Sequence, residues 1–139
     1  MKSFSLILIL TCTAGAFVGC GGASDAPPTF PVSGTVTFDG TPLAEGQIIF
    51  RDAAGKVASA AGKIENGKYA FQAIAGKKEV VITATREIPG KTVVGGAPDD
   101  APVPAIEQYL PEQYNEKTTL EADVSDSGAN EFSFDLTGK

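Results

Sequence analysis

Apolar and polar residues alternate along most of the chain after residue 31. In the first such segment Val32, Gly34, Val36 and Phe38 share one face of an extended chain, while hydroxyl and acidic residues occupy the other. This period of two is typical of a half-buried strand. The same pattern predicts six further strands, at 47–51, 56–64, 68–74, 79–86, 119–124 and 131–136.

Turn-forming residues separate these segments. Asp39–Pro42 carries the residue types that favour a turn, and Asn66-Gly67 is the pair preferred in a tight hairpin, where both residues need a positive φ. Residues 75–77 predict another turn, and we expect Lys77 and Lys78 to lie there in solvent. Seven short strands with turns between them predict an all-β protein, a sandwich or a barrel.

Residues 88–117 interrupt the rhythm of strands. This segment holds five prolines, which exclude a central strand because proline lacks the ladder donor, and which also exclude a long helix. We predict a long loop, with room for one or two helical turns at Ala105–Leu110. A loop of this length in a small domain is typical of a binding element or of disorder.

Two tyrosines and two glutamates make this loop the best candidate for a binding site. Tyr109 and Tyr114 could stack on a sugar or hold a peptide, since a tyrosine ring offers both an apolar face and a hydroxyl. Glu107 and Glu112 lie beside them in the sequence. The alternative is structural: Tyr109, Tyr114 and Leu110 would fix the loop to the body of the domain.

The first residues have the pattern of an export signal. Lys2 precedes an apolar run that is too short to span a bilayer as a helix, and small residues follow it. The end of this run, Phe17-Val18-Gly19-Cys20, resembles the lipobox of bacterial lipoproteins, although Phe17 stands where leucine is usual. The resemblance implies cleavage before Cys20 and attachment of acyl chains to it.

The cysteines agree with this interpretation. Cys12 lies in the apolar run and would be removed, so the mature chain would have Cys20 as its one thiol and no intramolecular disulfide. Several acyl chains on one N-terminus give a durable membrane anchor. Gly21, rather than aspartate, follows Cys20, and by analogy with Gram-negative lipoproteins this favours the outer membrane over the inner one. We therefore expect a cell-envelope protein.

The predicted organisation has three parts. Residues 1–19 form the lipoprotein signal peptide, residues 20–31 the lipidated cysteine and a flexible linker rich in Gly, Ser and Pro, and residues 32–139 one β-domain. A chain of 139 residues is long enough for one domain but not for two.

Composition limits the chemistry. The chain has no histidine, so it has no histidine base and no histidine metal ligand. The net charge is −6, and the leader would take Lys2 away, so the mature protein would be more acidic still. An acidic surface repels phosphate backbones, which argues against nucleic-acid binding. We expect no catalytic residue, no metal and no cofactor.

Two segments resemble carboxypeptidase regulatory-like domains. The first, PVSGTVTFDGTPLAEGQIIF, matches their opening hairpin at Gly34, Val36, Gly40, Pro42, Leu43 and Gly46. The second, GKIENGKYAFQAIAGKKEVVITA, matches a later block at Gly67, Tyr69, Phe71, Gly76, Val80 and Ile82. Together with the lipobox, LPEQYN and the closing NEFSFDL, this order resembles small lipoproteins that are common in planctomycete bacteria.

The resemblance implies a fold and a kind of role. It implies a seven-stranded, transthyretin-like β-sandwich that acts as a non-enzymatic structural or interaction module, with the membrane and an envelope protein or glycan as partners. The alternative is a carbohydrate- or peptide-binding module that uses the 88–117 loop.

Overall fold

The structure is a computed structural model that describes residues 26–96 and 100–138. The predicted signal peptide and Cys20 lie outside the described residues. Within the described part, the chain is all-β, as the alternation predicts, and its one helical element is a short 3-10 turn at Glu112–Tyr114.

Ten strands make up the described part of the fold. They are β1 (Thr29–Phe38), β2 (Thr41–Pro42), β3 (Glu45–Asp52), β4 (Ala60–Glu65), β5 (Lys68–Ile74), β6 (Gly76–Thr83), β7 (Thr85–Val93), β8 (Val103–Gln108), β9 (Glu121–Val124) and β10 (Asn130–Leu136). Each of the seven predicted strands overlaps at least one of them, and the strand predicted at 79–86 overlaps both β6 and β7.

Eight of these strands belong to one curled sheet. Its order is β10-β1-β5-β4-β3-β6-β9, and β2 pairs beside β1. The β1–β10 pairing is parallel, and the other pairings are antiparallel. β4 and β5 are joined by only the Glu65–Lys68 pair, so the sheet bends between them. The hairpin β7–β8 forms a separate two-stranded sheet.

The sharp bend between β4 and β5 depends on the Asn66-Gly67 turn. Both residues have positive φ angles, 51° and 72°, which is the geometry of the hairpin turn predicted from this pair. A Cβ at Gly67 would come within 2.7 Å of the Pro42 side chain, so glycine is needed there for space as well as for conformation.

The core fills the inside of the curl. Inward-facing residues of β3 and β6, Ile48, Phe50, Val80 and Ile82, are completely buried. The Phe50 ring contacts rings from the other half of the sheet, and the nearest is that of Phe71, with the centroids 5.1 Å apart. Edge-to-face pairs of this kind add about 0.5–1.5 kcal/mol each beyond the area they bury. These contacts hold the two halves together.

Tyr69 ties three strands together. This residue lies on β5, and its Oη donates a hydrogen bond of 2.7 Å to the carbonyl of Phe132 on β10. The side chain reaches across Gly34 of β1, where a Cβ would overlap that carbonyl oxygen. Burial, with a smaller effect from Glu131, raises the pKa of Tyr69 well above its usual range.

The first strand begins earlier than the alternation predicts. β1 begins at Thr29, which pairs with Ile74 of β5, so the last residues of the predicted 20–31 linker belong to the sheet. The alternation does not show this start because Pro31 sits among these residues. Proline is tolerated near the beginning of a strand.

The prediction of a loop over 88–117 is wrong for two parts of the segment. It contains most of β7 and all of β8, and Ala105–Gln108, expected as helical turns, is strand. A two-stranded ribbon has two free edges, where proline costs no ladder bond. The pairing also shifts register between Glu87 and Thr92, around Pro89 and Gly90, as expected of a bulge.

The prediction for Lys78 is also wrong. Lys78 lies in β6, with its side chain 1% exposed. It faces the core side of the strand together with Val80 and Ile82, and its Nζ lies 3.3 Å from Oδ1 of Asp52 on β3. Lys77 is exposed, as predicted, but it too is a strand residue and not part of a turn.

The topology gives the body two distinct ends. At the Thr29 end, β1 begins, β6 begins beside the Ile74 turn, and β9 connects to β10. At the Phe38 end, β1 ends, the Asn66-Gly67 turn joins β4 to β5, and β6 continues into β7. The hairpin β7–β8 therefore leaves the body at the end opposite the start of β1.

Candidate functional site

The Phe38 end is held rigid by backbone hydrogen bonds between its turns. Gly67 N–H donates to the carbonyl of Leu43 at 2.7 Å, and Leu43 N–H donates to that of Val36 at 3.0 Å. Leu43 is itself buried. The surface built on these turns is therefore well defined in shape.

A groove opens at this end because two strands separate. The β3–β6 ladder stops at the Gln47–Thr83 pair, after which the chain enters β7 and pairs with β8 instead. The groove has a volume of about 670 Å³. Its lining consists of Phe38, Ala44, Glu45, Glu65, Asn66, Thr85, Arg86 and Tyr109.

Of the predicted binding residues, Tyr109 lines this groove. Its ring meets that of Phe38 edge to face, with centroids 5.7 Å apart, and its N–H donates to the carbonyl of Ala84 at 3.2 Å. The guanidinium of Arg86 lies 5.2 Å from the centre of the Tyr109 ring. One face of the ring is thus covered by a cation, a favourable arrangement.

Glu107 joins the same cluster through Arg86. Its Oε1 lies 2.8 Å from Nε of Arg86, and both side chains are exposed, so the pair contributes little to stability. Its effect is to hold Arg86 over Tyr109. Glu107 and Tyr109, two of the four predicted binding residues, therefore both contact Arg86.

Tyr114 and Glu112 make their contacts elsewhere. Tyr114 Oη accepts a hydrogen bond of 3.0 Å from Thr137 N–H and lies 3.4 Å from the Thr137 hydroxyl. These hydrogen bonds lower the pKa of Tyr114. Glu112 pairs with Lys117, which lowers the pKa of the Glu112 carboxyl. Neither residue lines the groove.

Leu110 supports the structural interpretation of the loop. It is buried in the core cluster, and both Tyr109 and Tyr114 pack against that cluster. These contacts fix the segment after β8 to the body. They leave Tyr109 only half-buried, with part of its surface toward the groove.

Exposed apolar side chains concentrate on the hairpin. The large hydrophobic residues that stand out in solvent within the described residues all belong to β7–β8 or directly follow β7: Val93, Val94, Val103 and Ile106, at 51–66% exposure. Val93 and Val103 are directly opposite in the β7–β8 register, and exposed apolar residues that lie together are typical of interaction sites.

The sequence pattern alone does not identify Glu45, Glu65 and Arg86 as site residues. Glu45 and Glu65 are partners in the β3–β4 register, which a long connection between the strands hides from the sequence. Arg86 comes at the end of a predicted strand, where nothing in the pattern sets it apart. Its pairing with Glu107 follows directly from the β7–β8 register, so a prediction of that hairpin would have found it.

Comparisons with known proteins add little. No family model and no curated protein matches the chain. A solved structure of a 9R-lipoxygenase from Cyanothece PCC8801 is similar over 78% of this chain and 16% of that one, at 14% identity and a TM-score of 0.36. That similarity is too low to support an argument about fold or function.

Two kinds of feature are absent from the described residues. No cluster of three or more acidic or thiol side chains able to hold a metal ion occurs there. The same residues contain no helix with the length and apolarity needed to cross a bilayer.

Proposed function

We propose that this protein is a lipid-anchored lipoprotein of the bacterial cell envelope, whose domain is a non-enzymatic structural or interaction module. Cys20 carries the acyl chains, and the outer membrane is favoured over the inner one. The partner is an envelope protein or a glycan, and no nucleic acid is involved.

We further propose that the domain is a transthyretin-like β-sandwich of seven principal strands. Two observations support this assignment. The main path has seven strands and bends at the single Glu65–Lys68 pair, which divides it into a group of three strands and a group of four. Rings from the two groups then pack on each other around Phe50, as in two sheets that share one core.

The observation that carries the proposed function is the placement of the two ends. A tether attached before Thr29 reaches the body at one end, and the groove and the hairpin lie at the other. A body held on a membrane in this way turns its aromatic groove and its exposed apolar residues away from the bilayer, where a partner can reach them.

The polar side chains buried in the core are held by hydrogen bonds. Every buried side-chain nitrogen and oxygen within the described residues has a hydrogen-bond partner, so these polar groups serve structural contacts. A domain of this kind suits a protein that presents a binding surface to a partner. It needs no cofactor for that role.

The anchor is tested by replacing Cys20 with alanine and separating membranes from soluble envelope proteins with a carbonate wash. We expect the wild-type protein to stay with the membranes and Cys20→Ala to be released, because the acyl chains have no other attachment point. Cys12→Ala is the matched control, since it changes a thiol that cleavage removes, and it should stay with the membranes.

Two results would contradict the anchor. One is retention of Cys20→Ala in the washed membranes. The other is a mass spectrum of the mature wild-type protein that shows an unmodified cysteine at its N-terminus.

A second candidate function is binding of a carbohydrate or peptide at the segment 88–117. The clustering of exposed apolar residues on β7–β8, together with Tyr109 in the groove, favours it. The two functions are compatible, since a lipoprotein that displays this end can also bind through it.

A further inference from the structure

The outer edge of β8 is open to another strand. Within the described residues, β7 and β8 form a two-stranded sheet that pairs with no third strand. Tyr109 N–H donates to the carbonyl of Ala84, and in an antiparallel ladder only every second residue bonds to the neighbouring strand. By this alternation Ile106 and Gln108 direct their backbone N–H and C=O groups away from β7, where a further strand can meet them.

Apolar side chains stand along this open edge. Ile106 is 66% exposed and Val103 is 52% exposed, and neither belongs to the core cluster. Proteins protect exposed edge strands against pairing with charged side chains, proline or bulges, and an apolar edge without opposed charges is a place where another chain can add.

The edges of the main sheet carry such protection. If β9 paired with its own copy, Glu121 would lie opposite Asp123 of that copy. If β10 paired with its copy about its central residue, Glu131 would lie opposite Asp135. Like charges in directly opposed positions destabilise a sheet. The edge of β7 is interrupted by Pro89 and by the shift in register, so these three edges disfavour self-pairing.

A second copy of β8 fits the β8 edge without this conflict. In an antiparallel pairing about a two-fold axis at Ile106, this residue lies opposite Ile106 of the second copy, and Pro104 lies opposite Gln108. The N–H groups of Ile106 and Gln108 then have carbonyl acceptors, and the one missing donor is the N–H that proline lacks. Val103 of each copy lies opposite Tyr109 of the other, which covers both apolar side chains.

The charges near this edge are compensated or distant. Glu107 would lie diagonal to Glu107 of the second copy, but each is paired with Arg86 of its own chain at 2.8 Å. Glu87 is opposite Ile106 on β7, so the two Glu87 residues are three strand spacings apart, ~14 Å, beyond the screening length of ~8 Å at physiological ionic strength. The net charge of −6 acts between the bodies, and salt screens it.

We propose that the edge of β8 is a self-association surface, at which a second copy of this chain extends the hairpin into a four-stranded sheet. The edge is complementary to itself, whereas it carries no charge pattern that would select a foreign strand. A sheet of four strands is more stable than an isolated pair. This association gives a role to apolar residues that stand in solvent outside the core, and it does not depend on the lipid anchor.

Disulfide cross-linking tests the register. In the full chain with Cys12→Ala and Cys20→Ala, an introduced cysteine is the only thiol. Ile106→Cys places it on the axis, where hydrogen-bonded residues of opposed strands have Cα atoms ~5.5 Å apart, within reach of a disulfide. Val103→Cys is the matched control, because it is exposed on the same strand but lies opposite residue 109. On oxidation in a neutral detergent, Ile106→Cys should form the linked dimer about tenfold faster than Val103→Cys.

Analytical ultracentrifugation of the full chain in a neutral detergent measures the association itself. We expect a dimer whose fraction rises with protein concentration and with added salt, since salt screens the repulsion between the acidic bodies. Ile106→Asp sets two carboxylates face to face on the axis and should raise the dissociation constant about tenfold or more. Val94→Asp is the control, because it adds the same charge to an exposed residue after β7, and it should dimerise like the wild type.

Thermal unfolding of both aspartate variants should match that of the wild type, because neither residue belongs to the core cluster. Four results would overturn the proposal. They are a wild-type chain that stays monomeric, which would leave the edge to a strand of another protein; equal cross-linking through residues 103 and 106; no effect of Ile106→Asp; and equal weakening by Val94→Asp. None of them affects the release of Cys20→Ala from membranes, so the edge and the anchor can fail separately.

Discussion

The buried ion pair of Lys78 and Asp52 combines two kinds of contact on one carboxylate. Besides its contact with Lys78 Nζ, Asp52 accepts N–H bonds at Oδ2 from Lys56 at 2.6 Å and from Val57 at 3.4 Å. These backbone bonds, the one from Lys56 foremost, hold the pKa of the Asp52 carboxyl below its ordinary value of 3.8. One side chain thus shapes the loop after β3 and neutralises a cation in the core.

The lowered pKa predicts an acid-sensitive contribution to stability. Asp52 stabilises the folded protein fully above its ordinary pKa of 3.8, and this contribution is lost as the pH falls through the lower folded value. Asp52→Asn should reduce the free energy of unfolding at neutral pH, because Lys78 loses its ion pair, and should flatten the decline in acid. Urea unfolding at a series of pH values measures both effects.

Lys78→Met separates the two contacts. It replaces a buried ammonium with an apolar side chain of similar size but leaves the Asp52 carboxylate without its cation, so the free energy of unfolding at neutral pH should fall. The backbone bonds to Asp52 remain, so the decline in acid should persist. If Lys78→Met flattens that decline as much as Asp52→Asn does, the ion pair and not the backbone lowers the pKa.

The hairpin β7–β8 differs in kind from the strands of the main sheet. None of the residues in its two strands, all of which are described, belongs to the core cluster, and most of them are exposed. Its attachment comes from the residues that follow it, Tyr109 and Leu110, and from the Gln108 side chain, which accepts a hydrogen bond from Ala84 N–H at 2.9 Å. Its own strands pair only with each other.

This difference predicts low protection of the hairpin against hydrogen exchange. Amides of β7 and β8 should have protection factors at least about a hundredfold below those of β3 and β6, because a two-stranded ribbon can open without disturbing the core. Exchange followed by mass spectrometry of peptides from each strand measures this. Equal protection in β7 and β3 would mean that the hairpin opens only with the whole domain.

The strands of the main sheet can be predicted because their inner faces alternate with their outer ones. Lys78 obeys this rule, yet the prediction for it is wrong. It lies two residues before Val80, on the inward side of the strand, and only its charge suggests that it should lie in solvent. The prolines of residues 88–117 also lead to a wrong prediction. They exclude a central strand, but β7 and β8 form a two-stranded ribbon with free edges, where proline is tolerated.

The binding candidates can be predicted only as far as residue type allows. Tyr109 and Glu107 are found because tyrosine and glutamate stand in an unusual segment. Their neighbours in space, Phe38, Glu45 and Glu65, come from distant strands and depend on the register and the bend of the sheet. The meeting of such residues is a property of the tertiary structure, which a strand pattern does not contain.

At the scale of the whole molecule, the direction of each strand relative to β1 determines which turns and loops lie at each end of the body. The Thr29 end holds the start of β1 and the loop after Asp52, and the Phe38 end holds the turns at Asp39 and Asn66 and the groove. With the proposed anchor, the first end lies near the bilayer. The second then lies about the length of one strand farther away, ~30 Å for the ten residues of β1.

Single labels at the two ends test this orientation. Ser59→Cys places a thiol at the Thr29 end and Thr41→Cys places one at the Phe38 end, both at exposed positions. After reconstitution of the acylated protein in vesicles, a fluorophore at residue 59 should be quenched more strongly by a headgroup-attached quencher than one at residue 41. Equal quenching, or stronger quenching at 41, would contradict the proposed orientation.

The parallel pairing of β1 with β10 has a mechanical consequence. Every residue from Val32 to Phe38 is matched to one from Asn130 to Leu136, while β1 is paired along its other edge with β5. Tension applied to the chain before Thr29, and resisted at the groove, runs along β1 and loads both ladders in shear, so that many hydrogen bonds must break together. A strand peeled from one end would release them in turn and yield at a lower force.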